Sequence, residues 1–334
     1  MGVKVLSLFD GMACGMLAMQ RVGIAVDEYT AYEIDKYAIQ TAKHNFPMIQ
    51  ECGDVFTADF TQYKDIDYIV GGSPCTFWSC AQMNNRETKA SGLGWELFSQ
   101  YVRAIREVKP VYFIYENNKS MSSAIRDSIT KTFGFEPICI NSALVSAQHR
   151  QRLYWVGRRN ADGTYSKVAV EQPQDKGIRL ADVVDAQVEC VNTTAIGKAQ
   201  CLRATCYKDG IRNLVGNTVD RRTCIAERVC VLKDTVPVEA QSCVDGKTYT
   251  VYAVKNKLIT IKDKLYPMDL SDGYYIIRKL TVTECKRLQT VPDWYTFPVS
   301  NTNAYKMLGN GWTVDVIAHI LSYMPVGTVA EVKT

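Results

Sequence analysis

The chain has 334 residues, 47% of them hydrophobic and 22% charged, a near-average composition that excludes a mainly disordered polymer and allows one large domain or two unequal ones. Its 39 Lys and Arg against 35 Asp and Glu give a net charge of +4, so no global basic field marks a nucleic-acid binder and any such affinity has to be local. No stretch reaches the ~18 consecutive apolar residues of a membrane helix, and the opening MGVKVLSLFDG lacks a signal peptide's regions, so a soluble, intracellular protein without a membrane partner is expected.

In chain order, β-rich runs at 3–8, 29–33, 66–70, 111–115, 137–144 and 153–157 alternate with helical periodicity at 15–22, 36–45, 95–108 and 122–133. That alternation predicts a parallel-type sheet wrapped by helices, a doubly wound α/β fold. From about 187 to 272 the helical period fades, and short Val, Thr, Tyr and Ile runs such as 248–254 and 257–261 are cut by turn signals, which predicts a smaller, β-rich, irregular unit. Residues 190–264 carry 13 Lys and Arg against 7 Asp and Glu, so the basic surface is concentrated there. Helical character returns at 281–289 and 312–324, each stopped by a proline. The twelve cysteines include no C-x-x-C pair and have no His at zinc-finger spacing; they read as reduced thiols, and no metal site is expected.

Phe9-Asp10-Gly11 closes the first strand, Gly15 opens the following helix, and Glu33 ends the second strand. Glycine lets a backbone approach a ligand, and a strand-end acid can accept from ribose hydroxyls, although a merely tight turn uses the same residues. Asp54, in Cys52-Gly53-Asp54, adds a further acid where the adenine end of a nucleoside ligand would lie. Gly72-Ser73-Pro74-Cys75 ends an apolar strand and sets Cys75 on a loop where open α/β sheets bind ligands; the thiol is a candidate nucleophile, while Cys80 reads as an ordinary small apolar residue. Glu116 ends the neighbouring apolar strand and points into the same crevice if the two strands are adjacent, which would let it move a proton there. Arg150 and Arg152 fall on one face by alternation and suit an anion or a polarised carbonyl; a pair of surface salt bridges is the bland alternative.

Taken in order, Phe9-Asp10-Gly11, Glu33, Gly53-Asp54, Gly72-Ser73-Pro74-Cys75, Glu116-Asn117, Gln148-x-Arg150-x-Arg152, Arg278-Lys279-Leu280-Thr281 with Glu284, and Gly309-Asn310-Gly311-Trp312 resemble the successive motifs of the DNA cytosine-5 methyltransferase family. The variants are most similar to the animal de novo branch and some phage or bacterial enzymes. Three departures stand out, namely Asn118, Gly311-Trp312 and Thr290-Val291-Pro292, and none is expected to touch the chemistry.

The resemblance implies a Rossmann-like, class I S-adenosylmethionine-dependent catalytic domain with a mixed sheet over residues 1–186 and 278–334, and a target-recognition domain over 187–277. It implies Cys75, Glu116, Arg150 and Arg152 as catalytic residues, and Phe9, Asp10, Gly11, Gly15, Glu33, Ile34, Asp54, Val55, Leu97 and Asn310 as cofactor residues. Residues 76–94, with Asn84, Asn85, Arg86 and Lys89, would form a lid. Arg203, Arg212, Arg221 and Arg222 would include a base reader. The implied partner is double-stranded DNA, bound by a cytoplasmic monomer of bacterial or phage type, as in restriction-modification. A tRNA cytosine-5 methyltransferase shares Pro-Cys and Glu-Asn; a nicotinamide-dependent oxidoreductase would explain only the β-α-β start, and a silent DNA-binding regulator would leave Cys75 and Glu116 without a purpose.

Overall fold

A computed structural model describes residues 2–79, 86–185, 188–215, 222–231 and 236–326. Cys80, Asn84, Asn85 and Arg221 lie outside the described residues, as does the expected domain boundary at 186 and 187.

Eight strands build the first sheet: β1 (Val3–Leu8), β2 (Val26–Tyr32), β3 (Gln50–Glu51), β4 (Tyr68–Gly71), β5 (Tyr112–Asn118), β6 (Ile138–Asn141), β7 (Gln151–Arg159) and β8 (Tyr165–Lys167). Their order is β3-β2-β1-β4-β5-β7-β6, with β8 paired to β7. Neighbours from β3 to β5 run parallel, whereas β7 is antiparallel to β5 and β6. The sheet is therefore mixed and doubly wound, as expected.

Strand periodicity divides the core into two. Val5, Tyr68, Val70, Tyr112, Ile114, Tyr154 and Val156 face one layer, in which α1 (Cys14–Arg21) and α2 (Lys36–Asn45) pack. The alternate residues Leu6, Leu8, Ile69, Phe113, Tyr115, Leu153 and Trp155 face the other, filled by α3 (Leu93–Val108) and α4 (Ser123–Phe133). Such strands bury both faces, which is why they read as unbroken apolar runs.

The segment expected to be irregular forms a second sheet of seven strands between Val188 and Arg278: β9 (Val188–Val191), β10 (Cys224–Arg228), β11 (Glu239–Gln241), β12 (Thr248–Lys255), β13 (Leu258–Ile261), β14 (Lys264–Pro267) and β15 (Gly273–Arg278). All its pairings are antiparallel, and it encloses a small core around Val215, Ile259 and Tyr275. One short helix, α5 (Ile211–Val215), packs on it.

Three helices return the chain to the first sheet: α6 (Val282–Leu288), α7 (Asn301–Asn310) and α8 (Val314–Leu321). A reciprocal capping box between Thr281 and Glu284 starts α6. The same Glu284, with Glu227 of β10, holds the fully buried Arg278 guanidinium at 2.9 and 2.5 Å, pinning the second sheet to α6. The interior of α8 packs on α1 in the first core, and Arg21 pairs with Asp315 across them. Helix 312–324 is thus shorter than its apolar pattern suggested, and α7 was not foreseen at all.

Candidate active site

A cavity of about 230 Å³ opens at the C-terminal ends of β1, β2, β4 and β5, where open α/β sheets bind ligands. Its floor is the turn after β1. Phe9, Gly11 and Ala13 all take left-handed backbone angles, with φ of 59°, 64° and 58°, a costly arrangement for Phe and Ala. Glu33 holds that turn: Oε2 accepts from Gly11 N at 2.8 Å, and Oε1 accepts from the amides of Ile34 and Asp35. Asp10 is buried; its Oδ1 accepts from Ser7 and Tyr29, whereas its Oδ2 is buried without a hydrogen-bond partner. Burial pushes the Asp10 carboxyl up to about 6.

Adjacent strands bring the reactive residues together. Gly71 of β4 pairs with Tyr115 of β5, so Gly72 lies beside Glu116, and a Cβ on residue 72 would meet Glu116 O at 2.5 Å and Oε2 at 2.9 Å. Cys75 follows on a short turn of 3-10 helix, half-buried. Burial raises its thiol above the ordinary value; Arg152 opposes that rise and Glu116 reinforces it. In the antiparallel β5 and β7 pair, Glu116 sits opposite Tyr154 and Asn118 opposite Arg152. The diagonal from Glu116 to Arg152 is within reach of long side chains, and Arg152 Nε lies 3.0 Å from Glu116 Oε1.

Arg150 is buried and donates to the carbonyls of Leu202 at 3.0 Å, Gly309 at 3.1 Å and Gly311 at 2.9 Å. Among the described residues neither arginine forms a surface salt bridge, and Arg150 ties β7 to both the second unit and the turn after α7. That turn delivers Trp312, whose Nε1 donates to Glu116 Oε2 at 3.0 Å. Gly311-Trp312, one of the three departures, therefore brings its indole onto the acid from 196 residues away in sequence.

Of the fourteen residues singled out from the sequence, Cys75, Glu116, Arg150, Arg152, Phe9, Asp10, Gly11, Glu33 and Asn310 line this cavity. Gly15, Ile34, Asp54, Val55 and Leu97 are not among its lining residues. Gly15 is buried where a Cβ would stand 2.8 Å from Tyr29 Oη; Ile34 is exposed; Asp54 caps a turn by accepting from Phe56 N. Val55 and Leu97 pack in the second core. Ser73 and Trp312 line the cavity without having been singled out. Ser73 stands inside the quoted Gly72-Ser73-Pro74-Cys75 motif, and its hydroxyl lies 2.6 Å from that of Tyr115. The described part of 76–94 is anchored: Trp78 Nε1 donates to Glu87 Oε2 at 3.0 Å, Glu87 Oε1 accepts from Gly94 N, and Arg86 donates to Trp78 O and Ser120 O.

The family description C-5 cytosine-specific DNA methylase matches residues 3–325. The chain is 25% identical to the type II methyltransferase M1.ScrFI of Lactococcus lactis subsp. cremoris, covering 96% of this chain and 77% of that protein. It is also 25% identical to the type II methyltransferase M.FnuDI of Fusobacterium nucleatum, covering 96% and 93%. In fold it is similar to a crystal structure of a Spodoptera frugiperda DNMT2 variant, with a TM-score of 0.60 at 16% identity over 97% of this chain and 99% of that one.

Proposed function

The chain belongs to the C-5 cytosine-specific DNA methylase family, and from that membership we propose that it transfers a methyl group from S-adenosylmethionine to carbon 5 of a cytosine turned out of duplex DNA, through a covalent adduct with Cys75. The observation that carries this reading is that Cys75, Glu116 and Arg152 share one cavity with the Gly11 and Glu33 turn.

The donor set suits a cationic ligand bearing hydroxyls. Asp10 sets a buried carboxylate, and so a negative charge, in the cavity wall, and Glu33 stands with Gly11, Phe9 and Asn310 around the same space. Gly15, Ile34, Asp54, Val55 and Leu97 enter this site by motif position alone. When bound, S-adenosylmethionine supplies an electrophilic methyl group.

Carbon 5 of cytosine is a poor nucleophile. The Cys75 thiolate adds to carbon 6, and the electron pair of the 5,6 double bond becomes available at carbon 5. Glu116 stabilises the accompanying change at ring nitrogen 3, and Arg152, already paired with Glu116, holds the adduct; Arg150 keeps β7 in place beneath it. After transfer, the carbon 5 proton passes to solvent, its bonding pair re-forms the 5,6 double bond, and the bond between carbon 6 and sulfur breaks with its pair returning to Cys75 as thiolate. None of these atoms is accessible inside a base stack, so the base must leave it.

We assign target recognition to 187–277, the segment holding the second sheet. Its cationic side chains would hold phosphates while a few read base edges, with Arg203, Arg212 and Arg222 as candidates. Tritiated S-adenosylmethionine with a panel of duplex DNA and tRNA tests the reading. Label should enter DNA, Cys75→Ser should abolish transfer, and 5-fluorocytosine duplex should trap the wild type covalently; label entering tRNA alone, or an adduct surviving in Cys75→Ser, would overturn it.

A further inference from the structure

We propose that Trp312 is a positioning residue for Glu116. The inference rests on the reading of Glu116 as the group that meets the flipped base. Two donors from separate elements hold the Glu116 carboxylate, one at each oxygen: Arg152 Nε of β7 takes Oε1 at 3.0 Å, and Trp312 Nε1 from the turn after α7 takes Oε2 at 3.0 Å. A third surface, the backbone of Gly72, presses close enough that even a methyl group there would collide with Oε2.

A carboxylate gripped at both oxygens cannot turn about its terminal torsion, which is otherwise broad. Its plane is therefore fixed before substrate arrives, and fixed geometry at the reacting group is what lowers a barrier. Arg152 alone would leave Oε2 free to swing. Trp312 is itself held in place: its ring lies 3.9 Å from the position a Cβ on Gly15 would take, it packs against the first core, and the turn that carries it is fastened by Arg150 to the carbonyl of Gly311. The indole reaches Glu116 from the segment after α7, so the last part of the chain sets the orientation of an acid on β5.

The test uses the full-length protein, duplex DNA and tritiated S-adenosylmethionine, with single-turnover rates and Michaelis constants for Trp312→Phe, which keeps the ring and removes the N–H. The rate of methyl transfer should fall about 10- to 100-fold while KM for the methyl donor changes by less than about threefold. Repeated in a Glu116→Gln background, the same substitution should cost less than about twofold, because the group it orients is no longer a carboxylate. An equal loss in both backgrounds, or a change confined to donor KM, would reduce Trp312 to part of the cavity wall and overturn the proposal. Should Trp312→Phe fail to fold, the five indole N–H resonances of the wild type provide a second readout: one should move in Glu116→Gln, and five unmoved resonances would likewise refute the contact. Wild type that traps no 5-fluorocytosine adduct would instead defeat the underlying functional reading, whereas a wild type that forms the adduct alongside an unaffected Trp312→Phe defeats only this inference.

Discussion

Glu116 lies against Gly72 with no room for a side chain between them: an added Cβ would stand 2.5 Å from the Glu116 carbonyl and 2.9 Å from its carboxylate. The glycine before Ser73-Pro74-Cys75 thus serves the strand beside it as much as its own loop. Gly72→Ala should push Glu116 out of line with Arg152, and a misplacement of about 1 Å at a reacting group can cost 10²-fold in rate. We expect methyl transfer to drop by at least that factor, with S-adenosylmethionine affinity by calorimetry within threefold of wild type and a stability loss of about 1–3 kcal/mol from overpacking. A fully active Gly72→Ala would show that the crowding is relieved elsewhere.

The raised Cys75 thiol predicts a pH dependence. Burial favours the neutral thiol, and Arg152 works against that preference, so the reactive thiolate is scarce at neutral pH and grows as pH rises. The rate of adduct formation with 5-fluorocytosine duplex should still be increasing where an ordinary thiol, with its midpoint at ~8.5, would begin to level off. Arg152→Gln removes the opposing positive charge and should shift that rise to still higher pH. Stopped-flow quench or gel-shift time courses across pH decide it, and a flat profile in the wild type counts against Cys75 as the titrating nucleophile.

Glu51, at the end of β3, has both carboxylate oxygens buried without a hydrogen-bond partner among the described residues, and burial together with the charges of Asp10 and Glu33 pushes it up to about 8. Since the folded state prefers the protonated form, Glu51 carries no penalty below an unfolded value of ~4.3 and progressively destabilises the fold as pH rises toward 8. Glu51→Gln should therefore be more stable than wild type at pH 8, by about 1 kcal/mol after allowance for solvent screening at this half-buried residue, and indistinguishable near pH 4. Thermal melts of both proteins across that range provide the check; a stabilisation independent of pH would mean that charge is not the cause.

Much of the first sheet was legible because its strands are buried on both faces, so runs such as 68–70 and 111–115 carry no charged residue and lead into residues that line the cavity. The fourteen singled-out residues divide on the same physical ground. Those at strand ends, such as Glu33 and Glu116, face the opening, whereas Gly15 and Val55 belong to the packing beneath. Helix α7 was missed because Asn301, Thr302 and Asn303 read as loop, although Ser300 caps it through Asn303 N and Ala304, Tyr305, Met307 and Leu308 give it a buried side. The second sheet looked irregular because its strands are short and exposed on one face, as with the mostly half-buried or exposed Thr248–Lys255. The contact between Trp312 and Glu116 depends on how two distant segments meet, and no local pattern encodes it.

The packing of α8 on α1 also bears on how the chain is made. The core that supports the cavity takes Val314, Ile317 and Leu321 from α8, and the Tyr295 hydroxyl donates to Met12 O at the head of α1. These contacts join residues almost 300 positions apart, the kind of long-range closure that slows folding. During synthesis the layer that α1 and α2 begin on one face of the first sheet stays incomplete until α8 has left the ribosome, whereas the strands of the second sheet are all present once β15 has been made. Cys75 and Glu116 are made early, but the core beneath the cavity they line is completed only once α8 has been made.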